Sequence, residues 1–231
     1  MALTALGSSA RAETLPQRSI LRNTLPLTIL AASSQRVRAS TGRPVRQTIS
    51  GPYPLSLNSL WNRKIGIYGL GRIGKAIGRR LEGFELPINY HNRRPVAGCA
   101  YQYYSSLHNL AMAVDTLICA VPGNAATDGS INADILQALG PTGILINIGR
   151  SKTVDQDALI FCLENKIISA AGPDVFANES CVSDEMLMLE NTSRRPHIAP
   201  ASVDARGAVA NLVIDNLLSW IKTGKTITPI E

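Results

Sequence analysis

The stretch Lys64-Ile65-Gly66-Ile67-Tyr68-Gly69-Leu70-Gly71-Arg72-Ile73-Gly74 decides the fold of this chain. Its first six residues, K-I-G-I-Y-G, read as a buried strand. Ile73 to Leu81 reads as a helix, because Ile73, Ile77 and Leu81 recur on one face at i, i+4 and i+8. Between strand and helix, Gly69, Gly71 and Gly74 spell G-x-G-x-x-G. Alone that pattern is weak, since glycines are common. Placed here it has a physical purpose: the first two glycines permit a tight turn and close approach of backbone to a pyrophosphate, and the third lets the helix press on the strand. The free N–H groups and positive dipole end of the helix then attract phosphate. A glycine turn with only a structural role is the alternative.

Working outward, strand-like and helix-like blocks alternate. Pro87 to Tyr90 is the expected second strand, Asp115 to Val121 a third ended by Pro122, and Ile144 to Ile148 a fourth after the turn signal at Gly140 to Gly143. Helices are expected at Asn132 to Leu139, Asp155 to Asn165 and Val203 to Thr223, the last ended by Gly224. Such alternation predicts an α/β fold, a doubly wound parallel sheet. In a site for NAD the second strand ends in an Asp or Glu that accepts from the ribose 2′-hydroxyl. Here no acid occurs between Glu85 and Asp115, and the position reads His91-Asn92-Arg93-Arg94. Two guanidinium groups and an amide suit a 2′-phosphate through charge-assisted forks, so NADP(H) is the preferred cofactor, with NAD(H) as the alternative. The bland reading of the same residues is a solvated basic loop.

Composition narrows the classes. With 231 residues, 45% of them hydrophobic and 17% charged, the chain suffices for one large domain, or one plus a smaller partner. No apolar run approaches the roughly 20 residues that cross a bilayer, so no membrane partner is expected. The formal net charge of +6 comes entirely from residues 1–60, which hold seven Arg against Glu13. From Trp61 onward sixteen basic residues face sixteen acidic ones, which argues against nucleic acid as a partner. The first sixty residues also hold fifteen Ser and Thr, so an organellar transit peptide competes with an irregular N-terminal region in a cytoplasmic protein. Cys99, Cys119, Cys162 and Cys181 form no C-x-x-C pair, so reduced thiols are expected and no metal site.

Three further segments carry a resemblance. Asn147-Ile148-Gly149-Arg150, Gly172-Pro173-Asp174-Val175-Phe176 followed by Glu179, and Pro196-His197 resemble signature elements of the D-isomer-specific 2-hydroxyacid dehydrogenases. With Tyr103 to Ser105 and Ala138 to Pro141, the chain looks most like the plant glyoxylate, hydroxypyruvate and hydroxyphenylpyruvate reductases of that family, from about Thr24 to Glu231. The resemblance implies a Rossmann NAD(P)-binding domain and reduction of a small 2-oxo acid to the 2-hydroxy acid by hydride transfer. It makes His197 the proton donor, Glu179 the partner that keeps its imidazolium available, and Arg150 the cation that holds the substrate carboxylate. It further implies cofactor contacts from Gly69, Leu70, Gly71, Arg72, Ile73 and Gly74, from Asn92, Arg93 and Arg94, and from Thr127, Ile148 and Asp174. His91 and His108 match no family role and are read as structural. A homodimer is the expected assembly.

The match also departs from the family's pattern. The resemblance implies a substrate-binding domain ahead of the nucleotide domain, and this chain is expected to keep only a truncated remnant of it. Residues 1–23 then form an irregular segment, 24–60 a remnant of the inter-domain helix and linker, 61–202 the dinucleotide-binding domain, and 203–231 the C-terminal helix and tail. Pro26 would interrupt the remnant helix. Ser151 stands in place of the family's Gly, and Ser180 in place of its Pro. Pro173 is expected to remove an N–H from a central ladder, and Thr192-Ser193-Arg194-Arg195 replaces a usually apolar strand before His197. An active reductase, a catalytically weak or silent NADP(H)-binding dimerisation module and, more distantly, a co-repressor-like scaffold are the functions that follow.

Overall fold

The computed structural model describes residues 62–176, 182–193 and 203–229. Six strands form one parallel sheet in the order β3-β2-β1-β4-β5-β6, with β1 at Ile65–Tyr68, β2 at Ile88–His91, β3 at Gln102–Tyr104, β4 at Thr116–Cys119, β5 at Ile144–Asn147 and β6 at Ala170–Pro173. Helices α1 (Arg72–Leu81), α2 (Leu107–Ala113), α3 (Ala133–Leu139), α4 (Gln156–Glu164), α5 (Asp184–Met188) and α6 (Val203–Thr223) accompany it. The doubly wound α/β fold expected from the alternation is therefore present. No helix among the described residues is long and apolar enough to cross a membrane.

Strand alternation sorts the core onto the two faces of the sheet. Ile65, Ile67, Ile118, Ile144 and Ile146 pack with Ile77 and Leu81 of α1, whereas Leu117, Cys119 and Leu145 pack with Leu110, Leu136 and Leu163 from α2, α3 and α4. Covered on both faces, such strands read as continuous apolar runs, which is why β1, β4 and β5 are legible as sequence. Ser106, Asn132, Asp155 and Ser183 cap α2, α3, α4 and α5, each side chain accepting a backbone N–H of the first turn. At the N-terminal edge of the sheet the buried Arg63 donates to the Asp115 carbonyl at 2.9 Å and carboxylate at 3.2 Å, to Thr116 Oγ1 at 2.8 Å and to the Thr142 carbonyl at 3.1 Å. One guanidinium thus ties the starts of three strands. Burial lowers its pKa and Asp115 opposes that shift, without threatening its charge.

One expectation is refined. Among the described residues β6 is the last named strand of the sheet, and residues 191–193 pair with its outer side. The Ala171 N–H points outward to the Asn191 carbonyl (3.1 Å) and the Asp174 N–H inward to Asn147 (3.0 Å), so by alternation the Pro173 nitrogen faces outward and no β5–β6 ladder bond is lost. The polar segment beside it still pairs as far as it is described: Thr192 bridges Ala171, and the Ser193 N–H donates to the Ala171 carbonyl at 2.8 Å.

Candidate functional site

Parallel pairing lines up the strand ends. Tyr68 pairs with His91 and Cys119, Cys119 with Asn147, and Asn147 with Pro173, so the next residues of each chain segment share one rim. Backbone bonds hold that rim: Gly69 N–H to His91, Ala120 N–H to Tyr68, Ile148 N–H to Cys119 and Asp174 N–H to Asn147, all between 2.8 and 3.1 Å. The chain winds away from β1 in opposite directions through β2 and β4, and such a switch point opens a crevice beyond the carboxyl ends of the strands.

The glycine loop sits at that crevice. Gly69 has φ +99°, which a side chain would strain, and a Cβ on Gly74 would collide with the Gly69 carbonyl oxygen. A Cβ on Gly71 would meet nothing within 4 Å, so the space beside it is open. Unlike α2 to α5, α1 has no side-chain cap, and no acid occupies its first turn. Its N–H groups point into the opening, a cradle whose donors fit a pyrophosphate. Asn92 Oδ1 accepts from the Leu70 N–H at 2.7 Å and thereby fastens the end of β2 to the loop. Arg93 and Arg94 follow it in solvent. His91 stacks on Tyr68 with ring centroids 5.6 Å apart and its Nδ1 lies 2.8 Å from the Tyr104 carbonyl, in keeping with a structural role, and His108 is exposed on α2.

Across the crevice the turn after β5 carries Arg150. Its side chain is exposed, Nη1 donates to the Gly149 carbonyl at 2.9 Å, and its stem lies on Gly123, where a Cβ would come within 2.8 Å of Arg150 Cγ. Asn147, which the sequence reading did not select, holds this turn from beneath. Buried, it accepts from the Gly149 N–H and donates to the Arg150 carbonyl, both at 3.0 Å. Its signal was visible: an amide at the end of an otherwise apolar strand. Ile148 and Asp174 are buried at the rim. The Thr127 hydroxyl donates within its own loop to the Pro122 carbonyl at 2.8 Å and accepts from the Asn124 N–H at 3.0 Å. Glu179 and His197 lie outside the described residues. The structure therefore gathers the glycine loop, Asn92, the loop bearing Thr127, Ile148, Arg150 and Asp174 along one edge.

Residues 27–199 match the D-isomer specific 2-hydroxyacid dehydrogenase, NAD binding domain. The chain belongs to that family. Among curated relatives of this dehydrogenase-family chain is the glyoxylate/hydroxypyruvate reductase A of Arabidopsis thaliana, 39% identical over 168 residues, 73% of this chain and 54% of the relative. The hydroxyphenylpyruvate reductase of Plectranthus scutellarioides has the same identity and coverage. A solved NADPH-dependent glyoxylate/hydroxypyruvate reductase of Sinorhizobium meliloti, in complex with NADP and malonate, is 45% identical with a TM-score of 0.80, covering 99% of this chain and 68% of that one. The chain spans about half the length of the curated relatives it matches.

Proposed function

We propose that residues 61–202 form the cofactor half of an NADP(H)-dependent reductase of small 2-oxo acids, of glyoxylate, hydroxypyruvate or hydroxyphenylpyruvate type. The observation that carries the cofactor choice is the end of β2, where Asn92 is fastened to the glycine loop and the next two side chains are solvent-exposed guanidinium groups in an acid-free stretch. A bound nicotinamide would supply hydride to the substrate's carbonyl carbon. The chain's own residues do the rest. Backbone N–H groups of the glycine loop and α1 hold the pyrophosphate, and Arg93 with Arg94 pairs the 2′-phosphate. Arg150 receives the substrate carboxylate and polarises the adjacent carbonyl. The His197 imidazolium gives its proton to the carbonyl oxygen, and Glu179 raises the availability of that proton. The relatives' printed activities and the solved NADP complex support this reading.

Arg93→Ala tests it. The variant should weaken NADPH by about tenfold or more, since a hydrogen bond to a charged group contributes roughly 1.5–3 kcal/mol, and should leave NADH almost untouched. Calorimetric titration of both cofactors measures this, and equal losses for the two would refute the assignment. A second function, a catalytically weak or silent NADP(H)-binding dimerisation module, is favoured by the apolar side chains that α6 leaves exposed. Nicotinamide absorbance with glyoxylate and hydroxypyruvate, with His197→Ala as the blank, separates the two by turnover.

A further inference from the structure

Packing alone does not account for the hydroxyl of Tyr68. The ring ends β1, is buried in the apolar cluster on one face of the sheet and stacks on His91. A phenylalanine would fill that place. The hydroxyl instead reaches 62 residues along the chain, where it donates to Ser130 Oγ at 3.2 Å, and Ser130 Oγ in turn donates to the Thr127 carbonyl at 2.7 Å. Buried tyrosine hydroxyls usually find a hydrogen-bond partner, and this one finds it in the loop that bears Thr127. Burial pushes the phenol above its ordinary pKa, against an opposing contribution from Ser130, so the group stays protonated and donating at neutral pH. Two hydroxyls in series, each polarising the next, thus join the end of β1 to that loop.

The loop is also zipped to the turn that carries Arg150. The Gly129 N–H donates to the Lys152 carbonyl at 2.7 Å and the Ile131 N–H to the Thr153 carbonyl at 3.0 Å, while the Asp155 N–H returns to the Ile131 carbonyl at 3.0 Å. Ile131 and Val154 form a parallel bridge in the same run. Within the turn, the Thr153 N–H donates to the Arg150 carbonyl at 3.2 Å. At the other end of the loop the stem of Arg150 lies on Gly123, where a Cβ would come within 2.8 Å of its Cγ. Loop and turn therefore touch at both ends and form one body, and Tyr68 joins that body to β1. The direction of the exposed Arg150 guanidinium is set by this support, and a misplacement of about 1 Å is enough to spoil a bound geometry.

We propose that Tyr68 is a positioning residue for Arg150: acting through Ser130 and the loop of Thr127, its hydroxyl fixes where the guanidinium meets a substrate carboxylate. The proposal rests on the reading of Arg150 as the carboxylate-binding cation, and its test separates the two. Oxalate, a small dicarboxylate that mimics a 2-oxo acid, is titrated calorimetrically into the whole chain at NADPH concentrations that saturate each variant. Arg150→Ala should abolish oxalate binding. Tyr68→Phe keeps the ring and should weaken oxalate about threefold or more. Tyr68→Phe combined with Ser130→Ala should lose no more than Ser130→Ala alone, because both changes break the same relay. Hydrogen exchange supplies a readout that a purely structural role would not move: in Tyr68→Phe the amides of Gly129, Ile131, Thr153 and Asp155 should accelerate more than those of α1, whereas general destabilisation would accelerate all of them alike. Oxalate affinity undiminished in Tyr68→Phe, additive losses in the double variant, or acceleration no greater than in α1 would overturn the proposal and leave the reading of Arg150 in place. No oxalate binding by the unmodified chain, or unchanged affinity in Arg150→Ala, would overturn both.

Discussion

A methyl group is enough to test how the cradle is built. At Gly74 it would collide with the Gly69 carbonyl, a backbone atom that cannot rotate away, so α1 would have to retreat from β1. Overpacking of this kind costs about 1–3 kcal/mol, and it also moves the N–H groups proposed to hold the pyrophosphate. Gly74→Ala should therefore lower the urea midpoint and weaken NADPH and NADH alike, which distinguishes it from Arg93→Ala. Cys119 gives a second test. Complete burial at the end of β4 pushes its thiol from an ordinary 9 up to about 12, against smaller opposing contributions from the Val121 backbone and Thr153. Because the fold favours the neutral thiol, that stability is fully present below about pH 9 and is lost as pH rises toward 12. Maleimide labelling at pH 8, located by peptide mass, should find Cys99 modified and Cys119 untouched until denaturant is added. Rapid labelling of native Cys119 would contradict the buried placement.

Elements were legible where two-sided burial forces an unbroken apolar run. The strand ranges expected for β1, β4 and β5 contain the observed ones, with ends trimmed by one or two residues. β3 escaped because Gln102, Tyr103 and Tyr104 form a three-residue edge strand of exposed and half-buried residues, which shows neither a run nor a strict alternation. α5 escaped because five residues are too few for a helical period to register, and α2 because no breaker separates it from β4, whereas the equally short α3 is closed by Gly140; Ser106 and Ser183 still marked their starts. The cofactor edge was readable from glycine spacing and from charge at the end of β2. The support of Arg150 was only half readable: Asn147 showed as an amide at the end of an apolar strand, whereas Gly123 acts through a tertiary contact that no local pattern encodes. Arg63 belongs to the same class: its position in sequence suggests a surface charge, yet it ties three strands. Arg63→Ala would leave Thr116 and Asp115 without that partner at the sheet's N-terminal edge. The expected cost is about 1–3 kcal/mol, the scale of unpairing hydrogen-bonded polar groups, because the Asp115 side chain is 28% exposed, and it is read as a lower urea midpoint. Cofactor affinity should not change, because the affected edge lies at the opposite ends of the strands.

The body of the molecule buries its apolar surface on both faces of the sheet, and α6 departs from that rule. Its inner side is fixed by Asn216, which is 1% exposed, donates to the Leu212 carbonyl at 2.8 Å and Thr228 Oγ1 at 3.0 Å, and accepts from the Thr228 N–H at 2.9 Å. Its outer side carries Ile214, Leu217, Leu218 and Ile221, at i, i+3, i+4 and i+7, with exposures of 54%, 41%, 47% and 71%. Trp220 at 56% widens the stripe and Val203 at 88% extends it toward the helix start. Together these side chains form a contiguous exposed apolar stripe, the kind of surface that marks an interaction site. Its helical spacing suits burial against the same stripe of a second copy across a two-fold axis, the homodimer expected for this chain. Sedimentation at micromolar concentration should show a dimer. Ile214→Asp together with Leu217→Asp should yield a monomer that keeps its NADPH affinity, since the stripe lies outside the cofactor edge. A monodisperse wild-type monomer would refute the dimer, and a dimer unaffected by the double substitution would place its interface on another face.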